Sequence, residues 1–184
     1  MRILRYAAIV TVIVAFGAGM AGGSELRTKE TTFGAKGGLF GPGTVYVEGF
    51  DYDSDMSFSF GGFLDYKLGP KMSGGVLLNF HDFSSYESST LIELGFMLKG
   101  WIYKDESNMT FRPGFGISYG MMSHEGMDNT SYLIMSGLAE FVFSTSGQIS
   151  YLGEIGITGA LAGGNDAYDV TFGPGFTIRG GIVF

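Results

Sequence analysis

Residues 109–121 read Met109-Thr110-Phe111-Arg112-Pro113-Gly114-Phe115-Gly116-Ile117-Ser118-Tyr119-Gly120-Met121. The odd positions carry Met, Phe, Pro, Phe, Ile, Tyr and Met, and the even positions carry Thr, Arg, Gly, Gly, Ser and Gly. A period of two held over this length predicts a strand with one apolar face, because a helix would repeat its apolar positions every 3.6 residues or so. The end of the chain repeats the pattern. Phe172, Pro174, Phe176, Ile178, Ile182 and Phe184 oppose Thr171, Gly173, Gly175, Thr177, Arg179 and Gly181. Moving outward, the alternation also fits 57–68, 72–83, 89–103, 131–143, 148–160 and, more faintly, 31–40, which makes eight strands.

The connections alternate in length. Segments 41–56, 84–88, 123–130 and 161–169 are long, whereas 69–71, 104–108 and 144–147 are short and rich in Gly, Pro, Ser, Asp and Asn. Long loops at one end and tight turns at the other predict an up-and-down antiparallel meander. Residues 44–52 (TVYVEGFDY) also have strand character. They are assigned to the first long loop or to a strand extension, since a ninth strand would place the chain ends on opposite sides.

Alternation alone leaves open which face is outside, and composition decides it. Glycine occurs 32 times and charged residues make up 16% of the chain, against about 7% and about 25% in ordinary soluble proteins. The strand charges are Lys36, Asp65, Lys67, Glu93, Lys99, Arg112, Glu140, Glu154 and Arg179, each opposite its strand's apolar face among Gly and Ser. Five are positive and four negative, a near-neutral set suited to mutual pairing in a confined interior. The uncharged phase presents Phe58, Phe60, Leu64, Tyr66, Val76, Leu78, Phe80, Ile92, Leu94, Phe96, Leu98 and Ile102, a band suited to lipid. Strands of about 10 to 14 residues, tilted by about 40°, cross roughly 25 to 35 Å, a bilayer core. In lipid every backbone donor needs a protein partner, so the sheet must close. The predicted fold is all-β: a closed antiparallel up-and-down transmembrane β-barrel of eight strands.

The N-terminus reads as an export signal. Arg2 and Arg5 precede an apolar run, 7–16 (AAIVTVIVAF), followed by GAGMAGG with Gly19 and Ala21 at the −3 and −1 positions of a cleavage site. Residues 1–21 are assigned to a signal peptide cut between 20 and 24, and 22–184 to the barrel domain. The run is too short for a spanning helix.

Together with the ending Phe176-Thr177-Ile178-Arg179-Gly180-Gly181-Ile182-Val183-Phe184, these features resemble the small Gram-negative outer-membrane barrels typified by the membrane domain of outer-membrane protein A. The resemblance implies an outer-membrane location after export, contact with outer-membrane lipids and lipopolysaccharide, and reading of Ile178, Ile182 and Phe184 by the barrel-assembly machinery. The peptidoglycan-binding domain that follows the barrel in protein A is absent here, so cell-wall anchoring is not implied.

Chemistry-bearing residues are few. The chain has no cysteine and a net charge of −7, which excludes disulfide scaffolds, cysteine nucleophiles and thiolate metal sites and disfavours nucleic acid as a partner. Lipid A acylases and deacylases combine His with Ser and an acid, so the candidates are His81 with Ser84 and Glu87, or His124, beside Glu125 in a long loop, with Ser123; His81 and its neighbour Asp82 point to opposite faces of a strand and do not readily pair. The long loops carry Glu48, Asp51, Asp53, Asp55, Asp82, Glu87, Glu125, Asp128, Asp166 and Asp169 without a Lys or Arg. Asp51, Asp53 and Asp55 are candidate divalent-cation contacts. They do not make an EF-hand, because Met56 stands where glycine is required.

Three functional classes follow. The leading one is a structural or surface-interaction barrel with a side-chain-plugged lumen, since an eight-stranded interior is filled by side chains and Phe63, Leu77, Met97, Trp101 and Leu152 share the inward phase. A narrow pore or small-molecule carrier is the alternative, and a lipid A-modifying enzyme the minor one. No catalytic residue, cofactor or firm metal site is expected.

Overall fold

The computed structural model describes residues 25–83, 89–123, 128–145, 148–166 and 169–184. The signal segment, Ser84, Glu87, His124 and Glu125 lie outside them. A short helix α1 (Glu25–Thr28) leads into β1 (Thr31–Gly41), β2 (Thr44–Val47), β3 (Phe50–Asp53), β4 (Ser57–Gly69), β5 (Met72–Phe83) and β6 (Ser89–Gly100). There follow β7 (Ile102–Tyr103), β8 (Met109–Ser123), β9 (Thr130–Ser144), β10 (Ser150–Gly164), β11 (Val170–Phe172) and β12 (Gly175–Val183).

Eight of these strands form the wall. Antiparallel pairing runs β6, β5, β4, β1, β12, β10, β9, β8, and β8 pairs back onto β6, so the sheet closes on itself. β7 prolongs β6 past Trp101, whose backbone N–H donates to the Lys71 carbonyl (2.8 Å). The strand phase expected for 109–121 holds through β8: Phe115, Ile117 and Tyr119 are about half exposed on the outer face, whereas Thr110 and Arg112 are fully buried. Apart from Phe80, which is half-buried, the expected lipid-facing band is exposed throughout β4 to β7.

Three expectations need correction. Residues 44–53 are neither plain loop nor extra wall strand: β2 and β3 form a hairpin to which β11 adds, giving a separate three-stranded sheet at the long-loop end. The last strand is also not continuous from 170 to 184. Gly173 has φ +117, accessible to glycine, and Pro174 has no N–H to give a ladder, so the strand breaks between β11 and β12. The break shifts the phase by one residue. In β12 the odd positions face inward, but in β11 Val170 and Phe172 do. Phe172, expected on the lipid face, is therefore buried against Phe40 and Tyr132. β10 likewise runs on to Gly164, through a bulge between Ala160 and Ala162, into a stretch expected to be loop.

Candidate functional site: the lumen

The interior is layered. At the short-turn end Leu26, Phe63, Leu77, Met97, Trp101, Val142, Leu152 and Val183 make one buried apolar cluster. At the long-loop end Phe40, Leu91, Met122, Tyr132, Ile134, Val170 and Phe172 make another. The charged side chains lie in the barrel interior with these two.

Register makes room for them. Lys36 stands across from Gly61 on one side and Gly181 on the other, Asp65 from Gly75, Lys99 from Gly114, Glu93 from Gly120 and Arg179 from Gly38. A long polar side chain facing glycine on the neighbouring strand can turn into the lumen without meeting a Cβ, which gives these six of the 32 glycines a structural reason. Gly34 does the same for an apolar group: a Cβ there would stand 2.6 Å from the Phe63 ring.

The charges separate into two sets. In the first, Lys99 Nζ lies 2.9 Å from both Asp65 Oδ2 and Glu140 Oε1. Arg112 reaches the same two carboxylates, Nη2 to Glu140 Oε2 at 2.6 Å and Nη1 to Asp65 Oδ2 at 3.4 Å. Two cations and two carboxylates from four strands thus close a ring in which every neighbour has opposite sign. In the second set Glu154 takes Lys36 Nζ at 2.6 Å and Arg179 Nη2 at 2.5 Å. Arg179 Nη1 donates to Asn79 Oδ1 (3.0 Å), and Asn79 Nδ2 donates to Glu93 Oε2 (2.7 Å). Glu93 also accepts from Ser118 Oγ (2.5 Å) and lies 3.0 Å from His81 Nε2. Lys36, Lys99 and Arg112 further surround the Phe63 ring, at 5.6, 4.2 and 5.7 Å from its centroid, within range of cation–π attraction.

Eight of the nine inward charges singled out in the sequence meet in these sets. Lys67 does not: it lies at the short-turn end, donating to the backbone carbonyl of Arg27, 5.7 Å from the Trp101 ring. Arg112 pairs with Glu140, its direct cross-strand partner, and not with Glu93 on the strand that flanks it on the other side. Asn79 and Ser118 were not singled out. Both sit on the polar phase, Asn79 opposite Glu93, so carrying the phase argument to neutral side chains would have found them.

His81 is buried, with the Phe40 ring 4.3 Å away, and Asp82 is exposed on the other face. Asp51, Asp53 and Asp55 are exposed at the long-loop end, and among the described residues no three His or carboxylate side chains converge to hold a metal ion. Ile178 is exposed on the outer wall, and Ile182 and Phe184 are half-buried. Phe184 and Phe33 exchange backbone hydrogen bonds (2.8 and 3.3 Å), and their rings stack with centroids 5.1 Å apart.

No protein-family model matches the chain, and no curated protein sequence matches it significantly. Solved structures do. The crystal structure of neisserial surface protein A superposes with a TM-score of 0.62 at 9% identity, covering 84% of this chain and 96% of that one. The outer membrane protein OprG from Pseudomonas aeruginosa gives 0.55 at 13% identity, covering 85% and 97%. At these identities the likeness is one of fold, that of a small outer-membrane β-barrel.

Proposed function

We propose that the chain is an outer-membrane barrel of a Gram-negative bacterium whose lumen is a plug, and that its function is carried by the surface it displays at the long-loop end. The observation that carries this is the lumen itself. Two neutral charge sets leave each cation already matched by carboxylates, and an apolar cluster stands toward each end. An ion crossing would have to break buried pairs and pass two apolar layers. The β2–β3–β11 sheet gives the displayed end a defined, acidic shape, with Glu48, Asp51, Asp53 and Asp169 on or beside it. Its natural neighbours are lipopolysaccharide and whatever cell surface it meets. His81, packed under Phe40 and bonded to Glu93, supports a structural role and not catalysis. Planar-bilayer recordings of the refolded mature protein test the plug: no resolved channel openings are expected, and a steady unitary conductance would overturn it.

One observation favours carriage of small apolar molecules as a second reading. The β10–β12 ladder ends at Thr158 and Gly175. Beside this split lies an open groove of about 460 Å³, lined by Phe115, Met135, Ile157, Leu161, Phe172 and Pro174 among others. Native mass spectrometry of protein extracted from membranes distinguishes the two, since a carrier should retain a discrete apolar ligand that Ile157→Trp displaces.

A further inference from the structure

Arg27 lies outside every strand, yet it is only 7% exposed. A guanidinium has five N–H donors in a fixed plane, and here all five are used. Nε donates to Thr110 Oγ1 (3.2 Å), Nη1 to the carbonyls of Lys104 (3.1 Å) and Asp105 (3.5 Å), and Nη2 to those of Ser107 (2.5 Å) and Met109 (3.0 Å). The Tyr103 ring covers one face, 4.2 Å from Cζ. The described hydrogen-bond partners are all neutral oxygens. Three of the acceptors belong to the turn between β7 and β8 and the other two to the first residues of β8, and this segment is held in shape by further hydrogen bonds. Ser107 N–H donates to the Lys104 carbonyl (3.0 Å), Met109 N–H to Ser107 Oγ (3.1 Å), and Ser144 N–H to the Asn108 carbonyl (2.8 Å). Carbonyl dipoles converging on one point above an aromatic face make a receptor for a planar cation.

The neighbours of Arg27 show what is held. Leu26 is buried in the apolar cluster at the short-turn end that also contains Trp101. Lys29 Nζ donates to the Gln148 carbonyl (3.4 Å), and Glu30 accepts from the Lys67 N–H (2.8 Å). The segment thus lies over the short-turn mouth with one side chain inserted and a fixed point where β1 begins.

We propose that the turn Lys104–Met109 is a guanidinium-binding site whose ligand is the chain's own Arg27, and that residues 25–30 form a latch sealing the lower apolar cluster from water. The site recognises shape as well as charge. Lysine has three donors on a point charge and cannot meet five acceptors spread round a plane. The latch is independent of the lumenal charge sets and of whether the barrel conducts.

Trp101 is the only tryptophan and shares a cluster with Leu26, so it reports on the seal. The experiment measures acrylamide quenching of Trp101 fluorescence in the refolded mature protein in detergent micelles, with the heat-dependent gel shift confirming a closed barrel in each variant. Wild type should be shielded. Arg27→Ala should lower the docked-to-released ratio on the order of a hundredfold, because several charge-assisted hydrogen bonds go together, and Trp101 should then quench toward the level of an exposed indole. Arg27→Lys should fall between the two, and Lys104→Ala, which keeps the carbonyl, should match wild type. Should Arg27→Ala fail to fold, Tyr103→Leu removes the covering ring alone and should raise quenching. Unchanged quenching in the folded Arg27→Ala protein, or in Tyr103→Leu where that variant is needed, overturns the latch. Arg27→Lys matching wild type overturns the guanidinium site.

Discussion

Arg112 shows what a single residue carries in this lumen. It is fully buried, and its guanidinium joins Glu140 and Asp65, which among the described residues otherwise share Lys99 alone. Truncating it leaves two carboxylates facing one ammonium, and such an uncompensated buried charge costs about 3 to 5 kcal/mol, less whatever water entering the vacated space returns. Arg112→Ala is therefore expected to lower the urea midpoint of the barrel in detergent or lipid. Adding Glu140→Gln restores neutrality and should recover part of the loss. Adding Glu93→Gln should not, because Glu93 belongs to the set built on Arg179, Asn79 and His81. Additive losses for Arg112→Ala and Glu140→Gln would mean that the ring does not act as a unit.

Among the elements, the β2–β3 hairpin has a checkable defect. Its closing pair is Val47 and Phe50, and the two loop residues, Glu48 and Gly49, have φ of +50 and +85. Positive φ at both positions suits the right-handed twist of a hairpin, and Asn-Gly is the usual choice. Glu48 is a costly occupant of that conformation, so Glu48→Asn should stabilise the hairpin by roughly 0.5 to 1 kcal/mol. Amide exchange across β2 and β3 measures this, and faster exchange in the variant would count against the turn assignment. The same scale shows where the sequence was legible. β4, β5, β6 and β8 keep one phase and one pair of neighbours, so alternation placed them and their buried side chains. Alternation failed between β11 and β12, because Phe172, Pro174 and Phe176 look like one continuous apolar phase while Gly173–Pro174 turns Phe172 inward. Periodicity is also silent on Arg27, which belongs to no periodic stretch and whose partners are mostly backbone carbonyls, groups every sequence has.

For the molecule as a whole, closure depends on one seam. β1 and β12 come from opposite ends of the folded chain, and pairing elements so distant in sequence carries the largest loop-closure cost in the barrel. β12 has nine residues, whereas the other wall strands have 11 to 15. The seam therefore has least to spare. Phe184 lengthens it by two backbone hydrogen bonds and stacks its ring on Phe33 at the short-turn edge. Deleting Phe184 would leave the Phe33 N–H and C=O without their partners where the wall meets the membrane, at a cost of about 1 to 3 kcal/mol each if dry. The expected result is a smaller folded fraction on refolding into lipid and a lower temperature for the heat-dependent gel shift. Phe184→Ala separates two causes. It keeps the backbone pairing and loses the ring, so a seam held by the ladder predicts a milder effect than deletion. If Phe184→Ala refolds as poorly as the deletion, the ring contact with Phe33 sustains the closure. If the deletion itself refolds and melts like wild type, the eight ladder pairs from Gly34–Val183 to Gly41–Phe176 hold the seam unaided, and the closure argument for Phe184 fails.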